Sequence, residues 1–144
     1  MVGLHLRLAT IDDLMTIVEL ATAHDPDEPP VPEMVRFSWE SPPAGETIMR
    51  MLGHVNGSTL GYFAAGHGPW TKNEDRFGGI RAVLPPEQWT EGRFVELVGA
   101  AEDWQRAEGT TTGLAHVRQR FGLEVALHEQ LGYREVRRLS LSIR

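Results

Sequence analysis

The sequence predicts an α/β fold: a mixed central sheet of about six strands with flanking helices, in the order β-α-(loop)-β-β-β-α-β-α-β. Three observations carry this. "LHLRLAT" (4–10) alternates apolar and polar residues and runs straight into a segment with helical spacing. Asn56-Gly57, the preferred pair for a two-residue hairpin, stands between two strand-like runs. Beyond residue 90, helical and strand-like segments alternate, as helix crossovers between strands do.

In the first strand Leu4, Leu6 and Leu8 mark one half-buried face. Thr10 then suits a helix N-cap with Asp13 three residues on, and Ile11, Leu14, Val18 and Ala21 follow helical spacing. Segment 25–45 holds six of the nine prolines and cannot be regular throughout, although "PEMVRFSWE" allows a short helix. It reads either as a binding loop or as a surface connection. The hairpin pairs "TIMRMLGHV" (47–55) with "STLGYFAAGHG" (58–68). "PWTKNEDR" (69–76) reads as a loop. "FGGIRAVL" (77–84) reads as a strand in which Gly78 and Gly79 weaken the pairing or mark a bulge, and Pro85 and Pro86 end it. "GRFVELVGAAEDWQRAEG" (92–109) is an amphipathic helix with Phe94, Leu97, Val98, Ala101 and Trp104 on one face and Gly109 as its stop. "TTTGLAHV" (110–117) is strand-like. In "FGLEVALHEQLGY" (121–133) Leu123, Leu127 and Leu131 align on a short helix stopped by Gly132. "REVRRLSLSIR" (134–144) reads as a final strand.

At 144 residues the chain suits one domain, 1–144. A net charge of −6 argues against nucleic acid as a main partner, since phosphate backbones need Lys and Arg. The absence of cysteine removes disulfides, thiol nucleophiles and thiolate metal sites together. No apolar run approaches a membrane span, and "MVGLHLRLAT" lacks the basic region and apolar core of a signal peptide, so the expectation is a cytoplasmic protein with no membrane partner. The six histidines (His5, His24, His54, His67, His116 and His128) are scattered without metal-ligand spacing, so no metal is expected. No nucleophile elbow or dinucleotide fingerprint appears. Trp39, Trp70 and Trp89 fall in expected loops or loop edges. They point either to a lined cleft or to local packing. "REVRR" with Arg144 reads as a solvated basic strand face.

Several of these segments together resemble the GNAT-type acyl-CoA N-acyltransferases. "LRLAT-IDDL" is similar to that family's opening strand, turn and helix. The Asn56-Gly57 hairpin with "GYFA" is similar to its second and third strands. "VLPPEQ" is similar to its fourth-strand exit, and "ALHEQLGYREVRR" to its late helix and turn into the last strand. The resemblance spans nearly the whole chain through order and spacing, with no single specific motif. It implies two parallel strands splayed around acetyl-CoA, and a fourth strand whose bulge points backbone amides at the thioester. It also implies a following loop whose N–H groups bind the pyrophosphate, and a small amine as acceptor. On this chain it places the thioester at Ala82, Val83 and Leu84, and the pyrophosphate at Gln88, Gly92, Arg93 and Phe94. Family members often pair through sheet edges, so a homodimer is compatible.

The chain departs from the family in three places. The pyrophosphate loop has Glu91 and Arg93 where the family has glycine and glycine or alanine, with Gly92 between them. The loop is therefore either slipped by one residue or degenerate, with Glu91 serving only the helix dipole. His128 stands where the family often has a tyrosine acid, and reads either as its substitute or as an ordinary helix histidine. The fourth strand lacks the usual glutamate base, leaving His67, Glu74 and Asp75 as candidates, with His54 at the hairpin. Two functions follow: direct acetyl transfer to an amine in a ternary complex, or a non-catalytic binding module that kept the fold and lost the cofactor.

Overall fold

The computed structural model describes residues 3–69, 71, 72, 74–115, 117 and 121–135. Its strands are β1 (His5–Leu8), β2 (Thr47–Val55), β3 (Ser58–His67), β4 (Thr71–Lys72), β5 (Asp75–Val83) and β6 (Thr112–Ala115). Its helices are α1 (Leu14–His24), α2 (Pro32–Glu40), α3 (Glu91–Glu108) and α4 (Gly122–Gln130). The strands form one mixed sheet in the order β1-β2-β3-β5-β4, with β6 on β5. Every pairing is antiparallel except β5 with β6. The mixed sheet with its hairpin first and its crossover second is as expected. Its six described strands are not the expected six, however. The segment read as a loop at 69–76 contains β4, and the expected strand at 134–144, with its basic cluster, lies almost wholly outside the described residues. No described helix is long and apolar enough to cross a membrane.

Local chemistry explains the boundaries. Asn56 and Gly57 take φ of 51° and 81°, the two positive angles that a tight hairpin needs. The Asp13 carboxylate accepts the Thr10 N–H at 2.8 Å and both Arg7 Nη atoms at 2.9 and 2.7 Å, tying the end of β1 to the start of α1. Gly109 closes α3 in the left-handed region at φ 96°.

The sheet has two differently covered faces. Against α3 lie Phe63, Ala65 and Ile80, packed on Phe94, Leu97, Val98 and Ala101. On the other face Leu52, Tyr62 and Val83 pack on Ile17 and Ala21 of α1. No bulge interrupts β5: its residues pair with β3 from Ile80 to Val83 and with β6 from Phe77 to Ile80 in steady register. The irregularity lies in β2, between Gly53 and His54. Gly78 answers a packing demand instead. The buried Gln105 of α3 donates Nε2 to the carbonyls of Gly66 (3.0 Å) and Gly79 (2.9 Å), and a Cβ on Gly78 would collide with that Gly66 oxygen. Trp39 sits near the end of α2, the short helix that "PEMVRFSWE" allows. One further expectation is corrected. The buried side of α4 is Glu124, Leu127 and His128, while Leu123 is 72% exposed. The leucine stripe misplaces the helix because its buried face carries two titratable residues.

Candidate functional site

β5 and β6 run together only as far as Ile80 and Ala115. Among the described residues β5 pairs with β3 alone from Arg81 onward, and a gap lined by Leu84, Trp89 and Glu124 lies beside its exit. At the exit, Leu84 and Pro85 lead into a short 3-10 turn (Pro86–Gln88), and Thr90 caps α3. The walls of the gap enclose a cavity of about 460 Å³, a volume typical of small-molecule sites. Leu84, Pro86 and Trp89 line one side of it, Phe121, Leu123 and Glu124 another, and His24 closes it from α1. The exposed Leu123 therefore faces a ligand-sized space.

His24 and Glu124, both buried, form the chemical centre of this cavity. His24 Nε2 lies 3.3 Å from Glu124 Oε1. Its Nδ1 lies 3.0 Å from the Leu84 carbonyl oxygen and 3.2 Å from the Leu84 nitrogen, so the ring tautomer decides whether it donates or accepts there. Phe121 packs edge-on against the ring, 5.1 Å between centroids. Burial dominates the acid–base behaviour of both groups. It lowers the His24 pKa against a raising contribution from the Leu84 backbone, and pushes the Glu124 carboxyl up to about 7. Both shifts disfavour charge. Both groups are held toward their neutral forms, an imidazole beside a carboxyl that exchanges its proton near neutrality rather than a buried ion pair. A carboxyl tuned in this way is suited to general acid–base work.

The first turn of α3 leaves N–H groups without intrahelical partners. The Arg93 N–H is taken by Thr90 Oγ1 at 3.1 Å, and the Phe94 N–H by the Thr90 carbonyl at 3.0 Å. The amides of Glu91 and Gly92 remain directed out of the helix end. A Cβ on Gly92 would meet nothing within 4 Å, so the approach to these amides is clear. The Arg93 guanidinium donates to the Gln88 carbonyl (3.0 Å) and Oε1 (3.4 Å), fastening the turn to the helix.

No family model matches the chain, and no curated protein does. Solved structures do. An acetyltransferase from Trypanosoma brucei is 20% identical, covering 98% of this chain and 100% of its own, with a TM-score of 0.73. A ribosomal-protein-alanine N-acetyltransferase from Brucella melitensis is 12% identical over 99% of both chains, with a TM-score of 0.76. An aminoglycoside N-acetyltransferase in complex with CoA is 15% identical, covering 99% and 97%, with a TM-score of 0.74. The chain has the GNAT-type N-acetyltransferase fold. At these identities the likeness is one of fold, and the chemistry has to come from this chain's own residues.

On the GNAT fold the expected site residues separate into groups. Of Ala82, Val83 and Leu84 only Leu84 lines the cavity; Gln88 lies in the 3-10 turn that follows, and Gly92, Arg93 and Phe94 in the first turn of α3. His128 is buried on α4, but on the α3 side. Its Nδ1 donates to the Glu124 carbonyl at 2.7 Å, and its ring packs edge-on against Phe94 and Tyr133. Asp75 begins β5, roughly 26 Å from Val83 at ~3.3 Å per residue, with Glu74 just before it, and His67 at the end of β3 is roughly 17 Å away on the same measure. There Thr110 Oγ1 lies 2.7 Å from His67 Nδ1, Thr111 donates to Asp75 Oδ1 at 3.2 Å, and Glu74 takes a turn conformation at φ 73°. His54 pairs with Thr59 at the hairpin. Trp70 and His116 lie outside the described residues. The sequence reading passed over Glu124 and counted His24 only among scattered histidines. A signal was present: His24 continues the buried stripe of Leu14, Ile17 and Ala21, and Glu124 shares a helix face with Leu127. A titratable residue on an apolar stripe is the kind of exception that marks a site.

Proposed function

We propose that the protein is an acetyl-CoA-dependent N-acetyltransferase acting on a small amine by direct attack in a ternary complex, with Glu124 as the proton-accepting group and His24 as its partner. The observation that carries this reading is the buried His24–Glu124 pair in the wall of the cavity at the exit of β5. The chain's residues fit the cofactor. The amides of Glu91 and Gly92 offer donors to a phosphate at a helix end. Acetyl-CoA, when bound, supplies an acetyl thioester whose C–S bond breaks as the amine nitrogen forms the new C–N bond, leaving CoA as the thiol. Glu124 takes the proton lost by the amine, and His24 Nε2, 3.3 Å away, holds or returns it. The backbone bond from Leu84 fixes the imidazole orientation. Phe121, Leu123 and Trp89 give the cavity an apolar wall beside the pair.

The test is release of CoA thiol from acetyl-CoA across a panel of primary amines, for the wild-type protein and for Glu124→Gln. Amine-dependent release that Glu124→Gln abolishes supports the reading. Release unaffected by the substitution removes Glu124 from the mechanism. The non-catalytic alternative is favoured by one observation, the commitment of Arg93 to Gln88. It gains if acetyl-CoA does not bind.

A further inference from the structure

The sheet face under α1 and α2 carries two arginines in register. Arg50 of β2 and Arg81 of β5 both stand opposite Ala64 of β3. Their Cα atoms are therefore two strand spacings apart, roughly 10 Å, and the guanidinium groups can meet above a single methyl group. The next residues outward keep the floor low: Ile48 pairs with Gly66, and a Cβ on the neighbouring Gly79 would meet nothing within 4 Å. Together with Glu46 these residues line a second cavity, of about 170 Å³.

Arg50 is half-buried and stacks on Trp39, its guanidinium carbon 4.4 Å from the ring centre. Burial works against its charge. Among the described residues neither Arg50 nor Arg81 has a carboxylate within ion-pair distance. In a chain of net charge −6, the half-buried Arg50 stands out, because a partly desolvated cation is costly until an anion meets it, and the exposed Arg81 is its neighbour across Ala64. Carboxylates stand further off on either side. Glu46 acts on Arg50, and Arg81 acts on both Glu124 and His24.

We propose that Arg50 and Arg81 bind the carboxylate of the acceptor, and that the acceptor is a small amino acid. This rests on the transferase reading and adds the substrate class to it. Paired guanidinium groups match a carboxylate in geometry and charge. The anionic end is held above Ala64 while the amino group of the same molecule turns toward Glu124, the carboxylate on the Arg81 side. The product is the N-acetylated amino acid, with the amine proton passing to Glu124 and sulfur leaving as the CoA thiol.

The experiment pairs each of a set of amino acids with its own carboxamide, the same amine without the carboxylate. Two readouts are taken: CoA thiol release, and cofactor-free binding by calorimetry. The free acids should show KM and Kd values lower than the amides by at least about tenfold, the scale of a lost charge-assisted hydrogen bond. In Arg81→Gln and Arg50→Gln the acid-to-amide ratio should fall toward one. Gly79→Ala, whose added methyl enters open space, should fold normally and weaken acid binding. Amides bound as well as acids, or an unchanged ratio in both arginine variants, overturns the proposal. The two readings fail separately. Acetyl-CoA binding without acid preference leaves the transferase standing and removes the carboxylate site. Acid binding lost in Arg81→Gln without any acetyl-CoA binding does the reverse.

Discussion

The two faces of the sheet treat buried polar residues in opposite ways. On the α3 face Phe63, Ile80, Phe94, Leu97 and Val98 are essentially sealed from solvent. The titratable groups placed there are fully employed in packing: His128 is held between Phe94 and Tyr133, and the Tyr133 hydroxyl donates to Glu102 at 2.9 Å. On the α1 face the apolar cover stops short. Beyond Leu52, Tyr62 and Val83 come Arg50, Arg81 and an open glycine floor, with His24 and Glu124 at the edge of the gap. Burial by itself therefore does not separate chemistry from architecture. His24, Glu124 and His128 are buried to similar extents, at 8%, 8% and 7% exposure, yet only the first two face a cavity.

That contrast can be broken most sharply at Glu124. Glu124→Gln should lower acetyl transfer by about 10²- to 10⁴-fold, the range for a lost general acid–base group, without loss of folded protein in a thermal melt. Equal activity in the variant would erase the distinction. On the sealed face, Phe94→Ala should cost about 3–5 kcal/mol in urea unfolding through the cavity it leaves. A cost under about 1 kcal/mol would mean that face is not the rigid one.

A pH series sharpens the comparison further. The Glu124 carboxyl loses its proton near 4.5 when unfolded but holds it to about 7 when folded, chiefly through burial. Between those values the folded state binds more protons, so this group's contribution to stability falls as pH rises, by up to about 3 kcal/mol, and levels off above pH 7. His24 has the opposite sign: its lowered pKa removes stability as pH falls below about 6.5. The difference between wild type and Glu124→Gln isolates the carboxyl. The variant should gain relative stability from pH 4.5 to 7, and a flat difference would contradict the buried carboxyl. Asp13 behaves differently again, because hydrogen bonds from Arg7 hold it at about 2. Its contribution is present above pH 3.8 and is lost as pH falls toward 2. The smallest effect on chemistry is expected at His128. His128→Leu should leave turnover within about threefold while costing about 1–3 kcal/mol, the scale of a buried hydrogen bond lost with its carbonyl left unpaired.

How much of this was legible in the sequence follows from the range of the interactions. Local signals were sufficient for the Asn56-Gly57 hairpin, for α3 with its Gly109 stop, and for the strand exit at Pro85. Each is decided by residues within a few positions of one another. At Gly78 and Gly79 the weakened pairing, not the bulge, is what the β3–β5 ladder shows, and its cause, Gln105 of α3, lies far along the chain. The stripe on α4 was misread because leucine spacing alone cannot reveal that a glutamate and a histidine take the buried side. The His24–Glu124 pair joins α1 to α4, and the Arg50–Ala64–Arg81 row joins three strands and becomes visible only once the register of β2, β3 and β5 is known.

The central claim is that the gap beside β5 receives acetyl-CoA. Calorimetric titration of the wild-type protein with acetyl-CoA, with free CoA and dephospho-CoA as controls, tests it most directly. Saturable micromolar binding is the predicted result. An absence of binding at millimolar cofactor would contradict the account.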